Sequence, residues 1–203
     1  MVALALATAS STHTLADAVT SVLASPAPLM RPLSRLSILL ALLTVGCVLA
    51  ACGGATFNGT VYRGEDVAFR IPQAPPGWQQ IEVSHTAVAF RDEANMATIA
   101  INGRCRGEDD VPLAALTQHL FLQFSEREIL SQEVVPFDGR EAMHTVLQAK
   151  LDGVAKKFDV WVLKKDGCVY DLLLVAHPAR FEADLEAFGR IVRGFATLST
   201  NDS

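Results

Sequence analysis

The chain predicts an α+β domain, a twisted antiparallel sheet with helices packed on it, and three observations lead there. Apolar residues alternate with polar ones in two separate runs of strands, with a segment of helical period between them. Three Asp-Gly dipeptides, Asp138-Gly139, Asp152-Gly153 and Asp166-Gly167, tie the second run into an antiparallel meander. A second helical segment closes the chain, giving the order strands, helix, strands, helix.

Asn58-Gly59 and Tyr62-Arg63-Gly64 punctuate a short linker, with room for a first strand. Val67, Phe69 and Ile71 alternate with Ala68 and Arg70 in a half-buried strand stopped by Pro72. The turn Pro75-Pro76-Gly77 delivers Trp78. Thr86, Val88 and Phe90 alternate in the next strand and Ala97, Ile99 and Ile101 in the one after. Asn95 between them suggests a hairpin.

Asp109 and Asp110 before Pro112 mark a helix start. Leu113, Leu116, Leu120 and Phe124 then place one helix face on the core, with the end near Arg127. Strands follow over Ile129 to Phe137, Ala142 to Leu151, and around Phe158, Val160 and Val162. The run Cys168 to Ala176 is apolar on both sides from Val169 to Val175, as a central strand covered on both faces requires. His177-Pro178 opens the last helix, with Phe181, Leu185, Phe188 and Val192 on one face. Gly194 ends it and Phe195 folds back on the core.

The 203 residues carry a formal net charge of −5, and half of them are hydrophobic. The apolar excess lies at the front, where residues 1–55 contain only Asp17, Arg31 and Arg35 as charged groups. No basic cluster exceeds Lys156-Lys157 and Lys164-Lys165, so the stripe that a nucleic-acid binder needs is absent from the sequence.

The front end is an address. Arg31 and Arg35 precede the apolar run Leu36 to Leu49, and small Ala50 and Ala51 precede Cys52, as in a secretory signal over 30–51. The run is short for a membrane span. Leu49-Ala50-Ala51-Cys52 resembles the lipobox of bacterial lipoproteins, which implies acylation of Cys52 as the mature N-terminus; Thr44-Val45-Gly46-Cys47 is a weaker competitor. Residues 1–29 lack a positive start, so translation is expected to begin at Met30. Residues 52–60 are expected to be linker, 61–198 one domain and 199–203 a tail. Gly53 in place of Asp favours the outer membrane, facing the periplasm, in a cell with two membranes.

Cys47 leaves with the signal and Cys52 is lipidated, so Cys105 and Cys168 remain. An even pair in an exported chain reads as a disulfide, with two separate buried thiols as the other reading.

Val67-Ala68-Phe69-Arg70-Ile71-Pro72 followed by Pro76-Gly77-Trp78 resembles the opening of the PsbP-like family, which includes bacterial lipoproteins of the DcrB type. Gly194-Phe195 is similar too, and the likeness runs from Tyr62 to Leu198. The resemblance implies six or seven antiparallel strands flanked by helices, an αβα sandwich. It carries over no catalytic residue, because a fold alone does not fix a function.

His85, His119, His144 and His177 show no metal-binding spacing and are expected to be exposed or bonded to local backbone. Glu108-Asp109-Asp110 suits a helix dipole better than a cation. Ser84 and Ser125 lie in no nucleophile elbow, and Gly103 and Gly107 flank too short a segment for phosphate binding. No cofactor or metal is expected, and no enzymatic activity. Trp161 and Leu163 lie on the opposite strand face from Phe158, Val160 and Val162. Either a helix covers Trp161, the reading preferred, or it forms an apolar partner surface, and Trp78 carries the same choice. The expected protein is a membrane-anchored envelope lipoprotein whose domain binds a protein or hydrophobic segment. The alternative is a small-ligand carrier or enzyme with a pocket between sheet and helices.

Overall fold

The computed structural model describes residues 54–105 and 110–199. Cys52, the signal before it, Glu108, Asp109 and the tail from residue 200 lie outside the described residues. The strands are β1 (Thr56–Phe57), β2 (Val61–Arg63), β3 (Ala68–Arg70), β4 (Gln79–Ile81), β5 (Val88–Asp92), β6 (Ala97–Arg104), β7 (Ser125–Phe137), β8 (Arg140–Leu151), β9 (Val154–Lys165), β10 (Cys168–Ala176) and β11 (Ala196–Leu198). The helices are α1 (Leu113–Leu120) and α2 (Phe181–Gly194).

Seven strands form the main antiparallel sheet in the order β4-β5-β6-β10-β9-β8-β7. The doubly apolar β10 is its middle strand, as its sequence predicts, and Leu172, Leu174 and Val169 are buried on its two faces. The meander β7-β8-β9-β10 turns at the three Asp-Gly pairs. Each places both residues at positive φ, for instance Asp138 at 47° and Gly139 at 75°. Asp tolerates the left-handed region and Gly enters it freely, which is the demand of a two-residue hairpin turn.

One face of the sheet is covered by α2 together with a second sheet of four short strands, β1-β2-β3-β11. Phe69 and Phe195 from the small sheet and its approach meet Tyr170 of β10, and Phe181, Phe188 and Ile191 of α2 join the same cluster. The other face is covered by α1, whose Leu116 joins Phe121 in a second cluster with Met143, Leu147, Phe158, Val160 and Val162. The sandwich of helix, sheet and helix is therefore present. The strand Val67 to Ile71 belongs to the small sheet, as β3, and part of the expected linker is paired, since Thr56 and Phe57 face Arg63 and Tyr62.

The helix expected to run to Arg127 ends at Leu120, and β7 starts at Ser125. Phe121 and Phe124 continue the helical spacing but sit in tight turns, with the Phe124 amide bonded to the Phe121 carbonyl. Their rings pack on Phe158 at 5.1 and 5.2 Å, so the period reflects a shared core neighbour and not further helix. Gly194 ends α2 as expected, for a different reason. It has no positive φ, and any Cβ there would collide with the Pro72 ring.

Candidate partner surface

The β7 end of the main sheet is its open end. At the opposite edge β4 is three residues long, whereas β7 has thirteen, and Ser125 to Val134 are exposed. Two register shifts, between Ser125 and Glu128 and between Ile129 and Ser131, each insert one extra residue into β7. They bring Ile129, Gln132 and Val134, opposite Leu147, Thr145 and Met143, onto the α1 side. Ile129 and Val134 are each 52% exposed, and Leu122 beyond α1 is 67% exposed. Between β7 and the end of α1 runs an open groove of about 510 Å³, lined by Phe121, Leu122, Ile129, Thr145 and Leu147, with Arg127 and His119 at its margin. Edge strands of this length normally offer unpaired backbone groups to another chain, and here Glu126, Arg127, Glu128 and Glu133 limit indiscriminate pairing.

The other side of the same edge is polar. His144 of β8 faces Trp161 of β9 and Glu133 of β7 in register. Its Nε2 lies 2.9 Å from Asp159 Oδ1, which also accepts the Trp161 indole N–H at 3.1 Å. The imidazole stacks on the indole with centroids 4.4 Å apart, and Glu133 approaches Nδ1 at 3.7 Å. The bond to Asp159 is the main reason the His144 pKa stands above its ordinary value; burial opposes it, and the charges of Asp159 and Glu133 add to the rise. Both partners of His144 are carboxylates, and both favour the protonated form of the ring.

The expectation that each histidine is exposed or locally bonded fails at His144, while His177 does accept the Ala179 amide. The signal for His144 lies in the turns. A two-residue turn at Asp138-Gly139 pairs residue 144 with 133, and one at Asp152-Gly153 pairs it with 161.

Trp161 is half-buried. It touches Phe137 at 5.2 Å and shares an open depression with Val192 and Arg193, so the last turn of α2 flanks the ring and leaves part of it open. Trp78, before β4, is partly buried against the α2-side core and lies on the opposite half of the molecule. The structure does not bring the two tryptophans together. Cys105 and Cys168 are joined as a disulfide with Cα atoms 4.1 Å apart, as expected for neighbouring strand ends. Among the described residues no group of three or more His, Cys, Asp or Glu is placed to hold a metal ion, and no helix is long and apolar enough to cross a membrane.

No family model matches the chain, and no curated protein matches it in sequence. Among solved structures, cyanobacterial PsbP (CyanoP) from Synechocystis sp. PCC 6803 is similar with TM-score 0.51 and 16% identity, covering 74% of this chain and 99% of that one. LpqN, involved in cell envelope biogenesis of Mycobacterium tuberculosis, is matched with TM-score 0.48 and 14% identity over 64% of this chain and 83% of that one. The likeness to CyanoP shows a PsbP-like fold.

Proposed function

We propose that this chain is a membrane-anchored envelope lipoprotein, acylated at Cys52, whose PsbP-like domain works by binding and not by catalysis. Its occupant is an extended, partly apolar segment of another envelope protein, docked along β7 and the α1 groove. The observation that carries this reading is the thirteen-residue edge β7, exposed over ten residues, with Ile129 and Gln132 lining one groove and Val134 exposed on the same strand face. Strand addition at such an edge takes affinity from backbone hydrogen bonds and selectivity from alternate side chains in a flanking groove. The anchor rests on Leu49-Ala50-Ala51-Cys52 after its apolar run. Two or more acyl chains hold stably where one holds marginally. Gly53 after the cysteine favours the outer membrane where the cell has two.

Two measurements test the reading. Mass spectrometry of membrane-extracted protein is expected to find a lipid-modified peptide beginning at Cys52; an unmodified, soluble species refutes the anchor. A photo-crosslinking side chain at Ile129 is expected to trap a discrete envelope protein that the same group at Glu186 of α2 does not. Adducts at Glu186 alone would move the partner surface elsewhere. A small-ligand carrier is the second reading, favoured by the volume of the same groove; an apolar probe that binds there and is displaced by no protein segment would support it.

A further inference from the structure

We infer that the β4–β5 edge, with the loop from Glu82 to Thr86, rests on the bilayer that holds the anchor, so that β7 points away from the membrane. The inference rests on acylation of Cys52, and its geometry is independent of what binds β7. Only residues 53–55 separate Cys52 from β1. Even fully extended, the chain from Cys52 to Thr56 reaches about 14 Å. The start of the domain is therefore held within a headgroup layer's depth of the acyl chains.

The structure shows which surface lies there. Ala55, Thr56 and Phe57 line one open depression of about 580 Å³ together with Ile81, Val83 and Ala87 of the β4–β5 edge. The Phe57 ring meets Phe90 of β5 at 6.2 Å, which fixes β1 against that edge.

The charge distribution agrees with this placement. Residues 53–62 carry no formal charge, and residues 71–90 carry only Glu82. Between them, Arg63, Glu65, Asp66 and Arg70 belong to the β2–β3 hairpin, with Arg63 opposite Thr56 where a cation suits anionic headgroups. Residues 125–151, which make β7 and β8, carry eight formal charges. A charged group pressed against lipid loses hydration and a neutral one loses little, so the loop end of this edge, where Glu82 is the one formal charge and Arg91 and Asp92 lie at the far end of β5, is the part that tolerates contact. Val83, which opens the turn closed by the bond from the Thr86 amide to its carbonyl, is 42% exposed and offers an apolar contact at the interface. From β4 to β7 the sheet takes six strand spacings, about 29 Å at the usual separation if flat. The groove beside β7 is thereby carried clear of the headgroups.

The test uses the lipidated full chain in vesicles of phosphatidylethanolamine and phosphatidylglycerol with a headgroup-spin-labelled lipid. A fluorophore is attached at Val83→Cys or at Val134→Cys under non-reducing conditions. Both sites are exposed, and circular dichroism confirms that both variants fold. Quenching at position 83 several-fold stronger than at position 134 is the expected result. Equal quenching, or stronger quenching at 134, overturns the orientation while leaving the anchor intact. Protein that fails to float with the vesicles at all overturns the anchor, and the orientation with it.

Discussion

Asp138 accepts two hydrogen bonds from Thr197 on one oxygen, Oδ2, from the backbone amide at 3.0 Å and from the hydroxyl at 2.8 Å. The Lys165 ammonium donates to the same oxygen at 2.9 Å. The pair fastens the β7–β8 turn to β11 and so ties the small sheet to the large one. Burial pushes the Asp138 carboxyl up, but the donors of Lys165 and Thr197 outweigh it and leave its pKa below the ordinary value. A lowered folded pKa means stability that is present above the unfolded value of about 3.9 and is lost as pH falls through the folded one. Asp138→Asn, which keeps a side chain tolerant of φ 47°, is expected to cost about 1–2 kcal/mol at pH 7. The deficit in urea unfolding should shrink as pH falls below about 4, where the unfolded carboxyl takes up its proton, and close once pH has passed the lowered folded value. A deficit unchanged down to pH 2 would show that charge has no part in this junction.

Legibility followed the strength of each local pattern. β10 was readable in position and in its central place, because Val169 to Val175 is apolar on both sides and only a doubly covered strand needs that. The small sheet was mostly hidden, since β1, β2 and β11 have two or three residues and no period can be read from so few. α1 was overextended because Phe124 keeps helical spacing from Leu120 while leaving the helix. The groove face of β7 was illegible for another reason. Ile129 and Val134 are five apart and share a face only because a bulge adds a residue between them.

His144 gives the polar side of that edge a pH response. Its pKa is raised chiefly by the bond to Asp159. A raised folded pKa means a stabilising contribution that is complete below the unfolded value of about 6.5 and lost as pH rises through the folded one. Since the ring stacks on Trp161, indole emission reports the change. With Trp78 replaced by Phe, the Trp161 titration is expected to show a midpoint above 6.5 that drops in Asp159→Asn. A midpoint at or below the free imidazole value in the parent would contradict the geometry.

Asp184 in the first turns of α2 presents the opposite case. It is 2% exposed, accepts from Asn95 Nδ2 at 3.0 Å, and its Oδ2 has no partner. Burial is the main cause of its raised pKa, and the neighbouring Asp92 adds to it against the Asn95 bond. An acid with a raised folded pKa loses stability as pH climbs from about 3.9 through the folded value. Asp184→Asn supplies a donor where two carboxylates now face each other. It is expected to stabilise the domain at pH 7 by about 1 kcal/mol, against a loss of a few tenths from the helix dipole. The gain should fade in acid. A variant less stable than the parent at pH 7 and equal to it at pH 4 would reverse the assignment.

The β6–β10 register pairs Arg104 with Val169, so Cys105 and Cys168 follow as the next opposed residues at the strand ends. Their bridge closes a segment of sequence separation 63 that holds α1 and the strands β7, β8 and β9. By the chain-entropy argument such a loop contributes about 4 kcal/mol, a large share of a typical total of roughly 5–15 kcal/mol. The bridge is therefore expected to be structural. Cys105→Ala with Cys168→Ala should lower the unfolding free energy by about 4 kcal/mol while leaving the β-rich circular dichroism spectrum in place at low temperature. Thiol titration of the denatured, unreduced membrane-extracted protein separates the alternatives by count. Zero thiols is the expected result, with Cys52 held as a thioether and the other two cysteines paired. One thiol would mean an intact bridge beside a Cys52 that is unacylated although the signal, with Cys47, has been removed. Two thiols on a chain acylated at Cys52 would sink the bridge and leave Cys105 and Cys168 as small side chains packed at the edge of the core.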